Sequence, residues 1–143
     1  MILIKSWQDA DKEAFSIRKY VFIGEQGVPE KLELDEYDPV AWHALAYFNS
    51  QCIGTARLVT LNQPDGDIGR IGRMAVLPKY RKQGHGKDLL QALLQKGKAK
   101  GITQFELHAQ LSAIPFYEQF GFIAHGVIYD EAGIAHRDMI LNT

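Results

Sequence analysis

The part of this chain that most restricts its fold runs over residues 68–109. It reads as a strand-like "IGRIGRMAVL", a basic glycine turn "RKQGHG", a helix-periodic run, and a second strand-like segment, "ITQFELHA". Between the two strands Leu89, Leu90, Leu93 and Leu94 share one face, with lysines and glutamines on the other. That spacing predicts an amphipathic helix over residues 87–100, stopped by Gly101. A strand, a helix and a strand in succession lay the two strands side by side in parallel. The helix must then pack on a sheet, so the expected class is α/β.

The remaining segments extend that sheet. "ILIKSW" predicts a first strand, and the apolar positions Ala10, Phe15, Ile17, Val21 and Phe22 predict a helix over residues 9–22 with Asp9 as its N-cap. "AWHALAYF" and "CIGTARLVTL" read as a hairpin joined at "NSQ", and "NQPDGD" as the next turn. "SAIPFYEQF" predicts a short helix opened by Ser112 and closed by Gly121, and "FIAHGVIYD" with "GIAHRDMIL" a final hairpin turning around "EA". Between the first helix and the first hairpin, "GEQGVPEKLELDEYDPV" carries Gly24, Gly27, Pro29 and Pro39 and reads as a long acidic loop or a broken helix. No internal repeat or linker interrupts residues 1–143, which are expected to form one domain with a mixed central sheet flanked by helices.

Charge is uneven along this order. Six acids against one base stand between Glu25 and Asp38, and seven bases against one acid between Lys79 and Lys100. The net charge of −1 argues against a general nucleic-acid binder, and the lysines of the helix lack interleaved aromatics. A single cysteine, Cys52, favours a reducing compartment, and no apolar run is long enough for a membrane span. A cytoplasmic protein with no nucleic-acid or membrane partner is the expectation.

The glycine turn then asks for a ligand. A helix entered through glycines presents unpartnered N–H groups at the positive end of its dipole, where an anion is stabilised. A nucleotide-binding P-loop is excluded because Lys87 is followed by Asp88 and no glycine stands five residues before Gly86. A dinucleotide turn is excluded because Leu89 occupies its third glycine position. What is met is [QR]-x-x-G-x-[GA], by Arg81, Lys82, Gln83, Gly84, His85 and Gly86.

In that form "MAVLPKYRKQGHGKDLLQALL" resembles the acyl-coenzyme-A signature of the GNAT superfamily of N-acetyltransferases. "IPFYEQFGF" is similar to the same family's late helix motif, and the resemblance covers essentially the whole chain. "EQGVPEKLELDEYDPVAWH" with "GIAHRDM" further resembles the ElaA/YjcF-like branch. The resemblance implies a GNAT-like fold and acetyl-CoA as acyl donor. It places the donor's pantetheine arm along Met74, Ala75 and Val76 and its pyrophosphate on residues 81–87, including Lys87. Phe116 and Gln110 lie beside the arm, Gln110 standing where many members have asparagine. Tyr117 maps onto the tyrosine beside the acyl sulfur and is the expected acid for the leaving thiolate.

Acetyl transfer from a thioester needs a neutral amine, donors for the developing oxyanion and a proton for sulfur. An alkylammonium has a pKa near 10.4, so a proton acceptor is required. His108, Glu25 and Asp35 qualify, as does a chain of water; His43 and His136 read as structural histidines. Glu25 and Asp35 would also draw in a cationic acceptor, and Arg73 would pair with a substrate carboxylate or with an acid of the loop. Cys52 reads as packing, and the histidine spacing predicts no metal. The expected reaction is direct attack by a primary amine in a ternary complex. The alternative is a CoA-binding sensor or partner module without catalysis. A homodimer through the edge of the C-terminal hairpin is compatible with either.

Overall fold

A computed structural model describes residues 1–143. The core is a seven-stranded sheet in the order β1-β2-β3-β4-β5-β7-β6. Its strands are β1 (Ile2–Ser6), β2 (Trp42–Phe48), β3 (Gln51–Leu61), β4 (Ile68–Val76), β5 (Gln104–Gln110), β6 (Ile123–Glu131) and β7 (Ile134–Asn142). All neighbours are antiparallel except β4 and β5, which pair in parallel as the crossover requires. The mixed sheet flanked by helices is the class expected from the sequence.

Helix α3 (His85–Ala99) buries Leu89, Leu90, Leu93 and Leu94 against the sheet. It approaches closely enough that a Cβ on Gly97 would stand 2.5 Å from the ring of Phe105, which is fully buried. Only glycine allows that approach. Helix α1 (Trp7–Arg18) begins two residues before the expected Asp9, because its entry follows directly from the end of β1. It is not a helix as far as Phe22; from Lys19 to Glu25 the chain winds into a wider π-helical segment.

The acidic stretch is the broken helix of the two alternatives. It forms a short helix, α2 (Glu30–Glu33), and a 3-10 turn, Asp38–Val40, near α1. The last helix, α4 (Ile114–Glu118), starts after Ser112 rather than at it, with Pro115 in its first turn, where a missing N–H costs nothing. The final hairpin turns one residue later than "EA". Ala132 and Gly133 take positive φ, and Glu131 belongs to β6.

Candidate active site

Strands β4 and β5 are paired only over their first halves, from Ile68 opposite Gln104 to Ile71 opposite Leu107. Beyond that point they part, so the edge of β4 over residues 72–76 has no strand beside it. Its other edge still pairs with β3, but with a bulge in which Arg73 and Met74 stand opposite Ala56 alone. Arg73 takes φ 52°, a left-handed conformation costing an arginine about 1–2 kcal/mol. A cavity of about 550 Å³ opens in the gap, bordered by Met74, Gln110, Phe116 and Tyr117 among others. A parting of two parallel strands leaves backbone donors and acceptors free to pair with an extended ligand.

One wall of this cavity is an ion network drawn from the acidic stretch. Arg18, fully buried on α1, donates from Nη1 to Asp38 at 2.8 Å and from Nη2 to the Glu33 carbonyl at 2.7 Å, and its Nε bonds the Glu33 carboxylate. Arg57 donates to Asp35 at 2.7 Å and Asp38 at 3.0 Å. Arg73 donates to Asp35 at 3.0 Å and to the carbonyls of Leu32 and Glu33. Three guanidinium groups are thus matched by three carboxylates. Burial is strong enough to lift Glu33 above the ordinary carboxylate range even against Arg18. Burial also works to raise Asp38, but Arg18 and Arg57 together bring it below that range. Within the network His43 donates from Nε2 to the Asp38 carbonyl at 2.9 Å and packs on Trp7. Burial pushes the His43 imidazole below its usual range.

Two of the expected acceptor residues therefore differ from a free acidic loop. Asp35 lies on the cavity but is held by two arginines. Glu25, from the π-helical segment, forms a two-pronged pair with Arg81, one bond being 3.1 Å. Arg73 pairs with the acids of the loop, one of the two options read from the sequence.

The glycine turn enters α3 through Gly84, whose φ of 87° only glycine adopts freely. No side chain caps the helix, and the first intrahelical bond is from the Asp88 N–H to the Gly84 carbonyl. Nothing lies within 4 Å of a Cβ built on Gly84, and one on Gly86 would only touch Phe116 and Met74. The space before the helix is open to an anion. Lys82, Gln83 and Lys87 are exposed around it. Arg81 ties the turn to the strand by donating to the Val76 carbonyl at 2.8 Å. His85 packs instead against Phe48 and Tyr80, away from the cavity lining.

Tyr117 projects from α4 into the cavity, where its hydroxyl has only the sulfur of Met74 near it, at 3.9 Å. Burial pushes its hydroxyl up to about 12, so it holds its proton at neutral pH. Phe116 packs edge-on to Tyr117 and Phe120 and lies against the turn at Gly86. Gln110 donates to the Gln26 side chain at 3.0 Å, bridging β5 to the end of the π-helical segment. Ala75 is buried opposite Thr55. Cys52 is half-buried with its thiol pushed up to about 11 by burial, which fits packing rather than nucleophilic work.

The opposite wall sets Glu131, to which the sequence gives no role, beside two histidines that it does single out. His108 was expected near the acceptor, and it lines the cavity with Glu131 and His136. His108 Nδ1 is 3.2 Å from Glu131 Oε1, and His136 Nε2 is 3.5 Å from Glu131 Oε2. Asp138 stands opposite His108 in the β5–β7 ladder and accepts a bond from Tyr129. Period-two alternation puts residues 136 and 138 on one face of a strand, but their alignment with His108 depends on a register no local motif displays.

A family profile described as "Acetyltransferase (GNAT) domain" matches residues 9–143. A Bacillus subtilis (strain 168) protein whose name classes it provisionally as an acetyltransferase is 40% identical over 126 residues, covering 86% of this chain and 83% of its own. From the same organism YjcF, named an uncharacterized N-acetyltransferase, is 33% identical over 90% of each chain. The crystal structure of Escherichia coli ElaA shares the fold at a TM-score of 0.86 and 24% identity, covering 98% of both chains. The chain belongs to the GNAT family, in its ElaA/YjcF-like branch, and is an N-acetyltransferase with acetyl-CoA as acyl donor.

Proposed function

We propose that this enzyme moves the acetyl group to a primary amine by direct attack within a ternary complex. The single observation that carries the reading is the open edge of β4 over residues 72–76, leading from the glycine turn to the hydroxyl of Tyr117. Backbone groups around Met74, Ala75 and Val76 would hold the donor's arm and polarise the thioester oxygen, as rigid donors do without reorganising. The N–H groups at Gly84–Lys87 and the exposed Lys82, Gln83 and Lys87 would receive the pyrophosphate. Arg81 supports the turn from beneath through its bonds to Val76 and Glu25. Tyr117, protonated at neutral pH, would give its hydrogen to the departing sulfur.

Calorimetric titration with acetyl-CoA tests the donor site. Micromolar binding is expected, and it should be lost in the Gly84→Glu, Gly86→Glu double variant. A screen of small amines and lysine-bearing peptides, with thiol release as readout and Tyr117→Phe as control, tests the chemistry. Acetyl-CoA binding without turnover on any amine would instead support the non-catalytic sensor. A second copy pairing along β6 is favoured by one observation. Ile123, Val127 and Ile128 are exposed on that outermost strand. Its mass in solution decides.

A further inference from the structure

We propose that Glu131 and His136 form the acceptor's amine site, with Glu131 anchoring the ammonium and His136 Nε2 taking its proton. The proposal rests on the reading that an amine is the acceptor, and it adds residues that nothing so far assigns to it.

The protonation of the site follows from its partners. His136 Nδ1 is 2.7 Å from the carbonyl of Ile134, which can only accept, so Nδ1 carries the hydrogen. In the neutral ring Nε2 is then a lone pair, and it faces Glu131 Oε2 at 3.5 Å. Two acceptors stand face to face on the cavity wall with no donor between them. The His136 side chain is 9% exposed and that of Glu131 47%, so the pair is fixed on the histidine side and open to an incoming group on the glutamate side. A group rich in N–H donors and positive in charge satisfies both acceptors, and an alkylammonium is that group. Glu131 is positioned for it by His108, whose Nδ1 donates to Oε1.

Charge matching separates this wall from the rest of the cavity. Around His136 stand Glu131 and Tyr129 of β6, His108 of β5 and Asp138 on its own strand. Beyond them Arg70 and Glu106 neutralise one another across β4 and β5. No lysine or arginine pairs with Glu131 or Asp138, whereas the arginine network is matched carboxylate for guanidinium. A cationic acceptor therefore binds here and not against Asp35.

The ammonium gives one proton to His136 Nε2, and the imidazolium so formed faces the Glu131 carboxylate. The neutral nitrogen attacks the thioester carbon, forming the C–N bond as the C–S bond breaks with its electron pair on sulfur. Sulfur takes the Tyr117 proton, and the second proton lost by nitrogen restores the tyrosine. The products are the acetamide, the free thiol and one proton released from His136 to solvent.

The test compares wild type, Glu131→Gln and His136→Gln on the amines that the screen finds to be acetylated. Glu131→Gln is expected to raise the amine KM about 10- to 100-fold, the range for losing a bond to a charged group, with acetyl-CoA affinity within about twofold. His136→Gln is expected to lower kcat about 100-fold or more and to abolish the acidic limb of the pH profile. An unchanged amine KM in Glu131→Gln, or an intact acidic limb in His136→Gln, overturns the proposal. If no amine is acetylated, the amine-acceptor reading fails separately, and binding decides the site. Propylammonium titrated into the CoA-bound protein should shift the His136 and His108 imidazole proton resonances in wild type and not in Glu131→Gln. No shift in wild type overturns the site whatever the turnover.

Discussion

Two walls of one cavity both set carboxylates against nitrogen bases, guanidinium groups on one and imidazoles on the other, and they do opposite things. On the first, Arg18, Arg57 and Arg73 meet Glu33, Asp35 and Asp38, and Arg18, Glu33, Asp38 and Arg57 are buried. On the second, His108, Glu131, His136 and Asp138 meet at 3.2–3.8 Å, with Glu131 and Asp138 nearly half exposed. Matching and burial make the first wall a clamp that fixes the acidic segment to β4. Incomplete matching at longer distances makes the second wall a place where a ligand's charge has something to gain. Charged residues around a pocket are informative by how they are compensated, not by their number.

The largest effect expected from this contrast is on stability. Arg18→Met leaves Glu33 and Asp38 buried without their partner and should cost about 3–5 kcal/mol in urea denaturation. Glu131→Gln should change the same measurement by no more than about 0.5 kcal/mol, as for other exposed pairs. Equal losses in the two variants would erase the distinction between the walls. Next in size, Tyr117→Phe should lower kcat about 100-fold or more with little change in the amine KM or in the urea midpoint. A loss confined to KM would make the tyrosine a packing residue.

A smaller effect separates the walls by pH. Because burial holds His43 below its ordinary value of 6.5, the unfolded chain binds a proton that the folded one refuses. The stability it contributes is present above that ordinary value and lost as pH falls through the lower folded value. The stability gap between wild type and His43→Gln should therefore be wider at pH 7 than at pH 5. A gap that does not narrow would mean that His43 charges in place. The smallest effect is ionic. Raising salt from about 0.05 to about 0.5 M should raise the amine KM roughly twofold through screening at the open wall, while the urea midpoint stays put.

Much of the donor side was legible in the sequence because its parts are contiguous. The glycine turn and the leucine stripe of α3 depend on spacings of a few residues, which local geometry realises directly. Tyr117 on α4 is legible through the resemblance of "IPFYEQFGF" to the family's late motif. The boundaries moved where a neighbour intervened. Asp9 lost its cap role because β1 feeds straight into the helix, and Glu131 joined β6 because Ala132 and Gly133, not the glutamate, supply the positive φ of the turn. Acidic residues were legible as a run but not as a network. Arg18, Arg57 and Arg73 come from a helix and two strands far from it in the chain.

By itself, then, the sequence determined the parallel crossover and the open helix entrance, since each follows from backbone propensity and short-range periodicity. Tyr117 is singled out only by the resemblance of its motif to the family's. Only the tertiary structure decided that β4 and β5 part after Ile71, that Asp35 is neutralised, and that His108, Glu131 and His136 share a wall. Those outcomes depend on strand register and on which charges the fold can bury together. A shift of one residue in pairing turns every side chain to the other face, and no local pattern encodes it.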